Sequence, residues 1–204
     1  MIVMGIDPGL ANTGWAIVQT RGGDCRARAY GCISTSSSRP LADRLATIHA
    51  GIAQAIATYE PTELGIEKIF FGRNERSAIL TAQARGAALV AAAEADLVVG
   101  EYTPMQIKEA VVGTGAADKH QVTYMVRSVL CLDHDPKPDH AADALAAAIC
   151  HANLRRTAEL GRRGSAADAV RAAELAQADQ ARAEAREMTA AARQANEAKR
   201  RASA

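Results

Sequence analysis

The chain has 204 residues, with 24 Lys+Arg against 23 Asp+Glu, a formal net charge of +1 and only 3% aromatic residues. At 49% apolar residues it carries enough material for a real core, which excludes general disorder, and its length suits one ordinary domain with an appendage or two small domains. The near-zero charge argues against a nucleic-acid binder, which is usually basic, but a whole-chain charge averages over unlike regions.

The first predicted strand is Ile2–Asp7, a short buried run closed by Pro8 and Gly9. Residues 14–20 and 25–33 read as two further strands about a turn at 22–24. Leu41–Tyr59 places Leu41, Leu45, Ile48, Ile52 and Ile56 at helical spacing and stops before Pro61. A strand over 64–70, an Ala-rich helix over 77–95 and a strand over 97–101 follow. Three short helices come next, at Pro104–Val112, 118–130 and 140–154. Three strands and then βα units imply one mixed sheet with helices on both faces.

Composition changes near residue 155. Residues 155–204 hold 11 Lys/Arg, 7 Asp/Glu, 18 Ala and no aromatic residue, so this segment is +4 and residues 1–154 are −3. Leu160, Val170, Leu175 and Met188 are its only large apolar side chains, too few for a core-facing stripe. The expectation is a body over 1–154 and a helical or disordered Ala/Arg-rich extension over 155–204, hinged at 161–165. No stretch approaches the roughly 18–20 apolar residues of a membrane span. The opening MIVMGIDPG has no basic leader and does not read as a secretion signal. Cys25, Cys32, Cys131 and Cys150 show no C-x-x-C spacing and read as reduced thiols of a cytoplasmic protein.

In open α/β sheets reactive groups collect at strand ends and adjoining helix starts. Asp7 ends the first strand, Glu67 lies near the end of the fourth, and Asp143 sits in the first turn of the last helix with His140 three residues earlier. Positions i and i+3 share a helix face, so His140 and Asp143 can point at one centre. Oxygen and imidazole ligands converging from separate segments suit a hard divalent ion such as Mg²⁺ or Mn²⁺. Each residue also has a plainer reading. Asp7 suits a turn, Glu67 an edge-strand salt bridge with Lys68, and Asp139 an N-cap with His140 facing solvent. Asp143 is harder to explain away, because Ala141, Ala142, Ala144 and Leu145 surround it and a carboxylate there needs a partner.

GIDPGLANTGWA, IEKIFFGRNERSAILTAQARG, VVGTGAADKHQV and DHAADALAAAI, in that order from residue 1 to about 154, resemble the RuvC family of Holliday junction resolvases. The resemblance implies an RNase H-like five-stranded mixed sheet and a homodimer. It also implies Mg²⁺- or Mn²⁺-dependent endonuclease activity that resolves four-way DNA junctions by paired symmetric nicks, in recombination and repair. RuvA and RuvB, the branch-migration proteins, are the implied partners. The implied catalytic and metal-binding set is Asp7, Glu67, His140 and Asp143. The family commonly carries aspartate where this chain has His140; Asp139 could serve as ligand instead, and the family spacing of three favours His140. In the implied mechanism two ions about 3.5–4 Å apart assist phosphodiester hydrolysis, Asp7 bridging them and Glu67 and Asp143 each holding one. Ligation needs a neutral imidazole, so activity is expected to fall as pH drops through the titration of His140.

The cations of the body cluster in sequence: Lys68, Arg73, Arg76 and Arg85 surround the only two phenylalanines, and Lys108 and Lys119 sit in helix-start segments. Lys119 follows VVGTGAAD, where a lysine and backbone N–H groups together can receive a phosphate, or it is simply solvated. Strand alternation sends one of Phe70 and Phe71 inward. The other, beside Gly72, Arg73 and Asn74, suits stacking on an unpaired base, worth about 1–3 kcal/mol. The resemblance gives Phe70 that wedge role, with Phe71 as its partner, and DNA contacts to Arg73, Asn74, Arg76, Lys108 and Lys119. It also places the small residues of the 77–95 helix at a dimer twofold, where the plainer reading is contact with the chain's own sheet. GIDPG…NTG resembles the phosphate loop of actin-like and sugar-kinase ATPases as well, but those need two lobes, for which 154 residues are too few. Two rival readings keep the same fold: a non-catalytic junction scaffold and a nuclease that cuts RNA–DNA hybrids.

Overall fold

A computed structural model describes residues 1–69 and 75–162, in a chain that divides into two units, Met1–Arg155 and Arg156–Ala204. The first unit runs β1 (Ile2–Asp7), β2 (Asn12–Arg21), β3 (Asp24–Ser34), α1 (Leu41–Tyr59), β4 (Glu63–Glu67), α2 (Glu75–Glu94), β5 (Val98–Tyr102), α3 (Pro104–Val112) and α4 (Lys119–Leu130). A last helix, α5, occupies residues 139–155 of this unit. Of the second unit, residues 156–162 are helical, including 161 and 162 of the expected hinge; the rest of the tail lies outside the described residues. No described helix is long and apolar enough to cross a membrane.

The five strands form one sheet in the order β3-β2-β1-β4-β5. The β1–β2 and β2–β3 pairs are antiparallel, and β1–β4 and β4–β5 are parallel. This is the expected mixed sheet with helices on both faces. Strand alternation divides its side chains between two cores. Met4, Ile6, Leu64 and Ile66 pack with Ile48, Ile52 and Ile56 of α1 and Ala84 and Ala88 of α2. Val3 packs on the opposite face with Ile107 of α3, Val122 and Val126 of α4, and Ala144, Leu145 and Ala148 of α5. Asp7 and Glu67 therefore share the α5 face with their strand neighbours of the same parity.

Two differences from the expected elements have physical causes. β4 ends at Glu67 instead of residue 70, because its partners run out: β1 pairs only as far as Ile6↔Ile66, and β5 ends at Tyr102 opposite Glu67. Thr103 then turns the chain into α3, accepting from the Gln106 amide in a capping box with Pro104 in the first turn. The β2–β3 hairpin is longer than expected, since pairing extends from Arg21↔Asp24 to Asn12↔Ser34.

At the start of β4, far along the strand from Glu67, a polar network fastens α5 to the sheet. The Glu63 carboxylate meets His151 Nε2 at 2.6 Å and accepts from Arg155 Nε at 2.8 Å, while His151 Nδ1 lies 3.0 Å from the Tyr102 hydroxyl. A neutral imidazole satisfies both contacts, donating through Nε2 and accepting at Nδ1. Burial pushes the Glu63 pKa up, but hydrogen bonds from Arg155 and His151 outweigh it and leave it lowered. Burial lowers that of His151 against the pull of Glu63. Both groups thus bind protons more weakly folded than unfolded. The stability they contribute at neutral pH is lost on acidification, first below the ordinary histidine value of 6.5 and then through the carboxylate range below 4.5. Urea unfolding is expected to show a smaller loss between pH 7 and 5 for His151→Gln than for the wild type.

Candidate active site

The carboxyl end of β1 delivers Asp7 to the α5 face, and the loop after it is braced by buried Thr13, whose hydroxyl donates to the Gly9 carbonyl at 2.7 Å. His140 opens α5 beneath it, with Nδ1 2.7 Å from Asp7 Oδ2. One turn on, Asp143 completes the group: ligand atoms of Asp7, His140 and Asp143 all lie within 4.8 Å of one another. Glu67 stands at the same end of the sheet, on the neighbouring strand. With Asp143, Lys108 and Lys119 it lines a cavity of about 230 Å³ floored by Ile107, Val122 and Ala146. β4 is an inner strand, so the edge-strand salt bridge does not describe Glu67. Asp139 turns away, 75% exposed and paired with Lys119 at 3.1 Å, and it is His140 that lies in the cluster.

Negative charge is concentrated here. Burial raises the pKa of Asp7, and Asp143 raises it further, against the hydrogen bond from His140. Burial, then Asp7 and Asp143, push Glu67 up to about 7, with Lys108 opposing. Lys119 is drawn between Asp139 at 3.1 Å and Asp143 at 3.4 Å, and these partners raise its pKa despite the burial that lowers it. Carboxyl groups gathered in this way, with an imidazole beside them, are the donor set of a hard or borderline divalent ion. Asp7, His140 and Asp143 therefore fit such an ion, with Glu67 lining the cavity beside Asp143. Were Glu67 to ligate the ion it would have to lose its proton, and Mn²⁺ affinity is then expected to fall about tenfold per pH unit below 7. Titration calorimetry between pH 5.5 and 8 reads this slope, and Glu67→Gln should flatten it.

The cations divide. Lys108 and Lys119 line the cavity, and Lys119 opens α4. Asp118 caps this helix, its carboxylate accepting from the Gln121 amide while the Gln121 side-chain oxygen accepts from the Asp118 amide. Arg85 does not stand free beside a DNA path: its guanidinium pairs with Glu101 at 2.7 Å and donates to the Glu67 carbonyl at 3.1 Å. Phe70, Phe71, Arg73 and Asn74 lie outside the described residues, as does the side chain of Arg76.

Sequence reasoning missed the glycines that let α5 approach. A Cβ at Gly14 would overlap the His140 carbonyl oxygen, and one at Gly5 the Ala144 carbonyl oxygen. The available signal was glycine inside an apolar strand, which marks close approach of another backbone.

A mixed sheet with antiparallel β1–β3 and parallel β4 and β5, bearing carboxylates on neighbouring strand ends and on the helix that crosses them, defines an RNase H-like domain with an acidic catalytic-type centre. A family model described as crossover junction endodeoxyribonuclease RuvC matches residues 3–151. The RuvC of Moorella thermoacetica is 46% identical over 154 residues, 76% of this chain and 92% of that one. That of Ectopseudomonas mendocina is 49% identical over 156 residues, 76% and 88% of the two chains. Thermus thermophilus RuvC, solved in complex with Holliday junction substrate, superposes with a TM-score of 0.75 at 39% identity, over 78% of this chain and 96% of that one. The chain belongs to the RuvC family of crossover junction endodeoxyribonucleases.

Proposed function

We propose that this protein resolves Holliday junctions by paired symmetric nicks during recombination and repair, acting in the cytoplasm as a homodimer alongside RuvA and RuvB. The observation that carries the reading is the convergence of Asp7, His140 and Asp143, with Glu67 across the adjoining cavity, in a chain of this family. Mg²⁺ or Mn²⁺, held by these four residues as one or two ions, would supply Lewis-acid activation of water and stabilisation of charge on the phosphate. The protein's own part is placement. Asp7 holds the His140 ring by its Nδ1, and Lys108 and Lys119 bring two ammonium groups to the cavity where a phosphate enters. Phe70, Phe71, Arg73, Asn74 and Arg76 follow Glu67 closely in sequence and supply the proposed grip on the unpaired centre of the junction. Exposed Ile79, Leu80 and Val90 on α2 support a second copy there, which provides the second of two symmetric active sites.

The test compares four-way junctions, linear duplexes and RNA–DNA hybrids in Mg²⁺, Mn²⁺ and EDTA. Paired nicks at the junction centre, absent in EDTA, are the expected result. Preferential cleavage of hybrids would overturn it.

A further inference from the structure

Glu67 is held less completely than the other strand-borne acid. β1 pairs with β4 only as far as Ile66, so on that side Glu67 has no ladder neighbour. On the other side it stands opposite Tyr102, whose carbonyl accepts from the Lys68 amide at 2.7 Å, the last backbone bond before the strands part. What remains to fix Glu67 comes from the opposite face of the sheet. β5 alternation turns Gly100 and Tyr102 toward His151 and leaves Glu101 on the α2 side, where Arg85 Nη2 meets it at 2.7 Å. From that anchor Arg85 Nε donates to the Glu67 carbonyl at 3.1 Å. The arginine side chain is 17% exposed, so its guanidinium is largely out of water, while its Glu101 partner is 43% exposed.

We propose that Arg85, braced by Glu101, is the positioning residue of Glu67: one guanidinium ties the last residue of β4 to the end of the ladder on β5 and sets where the carboxylate stands. This rests on Glu67 being a metal-holding carboxylate. Outer groups that orient a ligand typically affect metal affinity or activity by about 10–100-fold when removed. The planar fork matters as much as the charge, because a lysine ammonium is a single point and does not span a carbonyl and a carboxylate with the same geometry.

Arg85→Gln, Arg85→Lys and Glu101→Gln, compared with Glu67→Gln, test this. Mn²⁺ binding, followed by loss of the free-ion EPR signal, is expected to weaken about tenfold in both Arg85 variants and less in Glu101→Gln. Hydrogen exchange at the Lys68 amide should quicken while core amides of β1 stay protected. Junction affinity in EDTA and its salt slope should not change. A salt slope reduced by about 1 would make Arg85 a phosphate contact instead. Unaltered Mn²⁺ affinity, or an Arg85→Lys protein that binds Mn²⁺ like wild type, would also overturn the proposal. If Glu67→Gln itself binds Mn²⁺ and cleaves normally, the reading of Glu67 falls; if it fails while the Arg85 variants are normal, only the positioning role falls.

Discussion

An Asp7→Asn protein is expected to bind four-way junctions as tightly as wild type and to cleave them at least about a thousandfold more slowly, a loss near 4 kcal/mol. The amide has the shape of the carboxylate and can still accept from His140, so the fold around the 2.7 Å contact should persist. What it lacks is the charge that a divalent ion would neutralise. Folding stability supplies an independent reading. Burial and the Asp143 charge raise the Asp7 pKa, so its ionised form is less favourable folded than unfolded at neutral pH. The Asp7→Asn substitution should therefore leave the urea midpoint equal or higher while abolishing cleavage, the signature of a residue kept for chemistry at a cost in stability. Single-turnover cleavage at the wild-type rate would remove Asp7 from the centre.

The second large effect concerns the backbone beneath that centre. Gly14→Ala puts a methyl group onto the His140 carbonyl oxygen, and Gly5→Ala puts one onto the Ala144 carbonyl oxygen with the Ala148 amide 2.8 Å away. Neither obstacle is a flexible side chain, so α5 itself must move. Each substitution is expected to cost about 3 kcal/mol or more, the upper end of overpacking. Gly14→Ala should also separate His140 from Asp7 and weaken Mn²⁺ binding beyond what the loss of stability explains. Gly22→Ala is the control. Its φ of +66° strains any side chain, but nothing lies within 4 Å, so only about 1–2 kcal/mol is at stake. Equal midpoints for Gly14→Ala and Gly22→Ala would show that α5 does not depend on this approach.

Several of these features were legible from local chemistry. An apolar run broken by Asp7, Pro8 and Gly9 marks the end of β1 whatever the rest of the chain does. Pro104 and Gln106 after Thr103 mark the start of α3 as plainly. The end of β4 was not legible, because the apolar run continues through Ile69 to Phe71 while the strands that could pair with it have stopped. Pairings across long separations were equally hidden: Glu63 and His151 stand 88 residues apart, and each alone looks like an ordinary polar residue. The capping box beside Lys119 was not read from the sequence either, although Asp118 followed three residues later by Gln121 is its local signal. Charge and place in the chain group Arg85 with the cations around the two phenylalanines; only the fold shows that its guanidinium bonds the Glu67 carbonyl and pairs with Glu101.

The most direct measurement is anomalous diffraction at the manganese edge from crystals soaked in Mn²⁺. A peak within ligand distance of the Asp7 and Asp143 carboxylates, lost in Asp7→Asn crystals, is the predicted result. A map with no peak there, or with ions only at other acidic groups, would contradict the assignment of Asp7, Glu67, His140 and Asp143 as a metal-dependent nuclease centre.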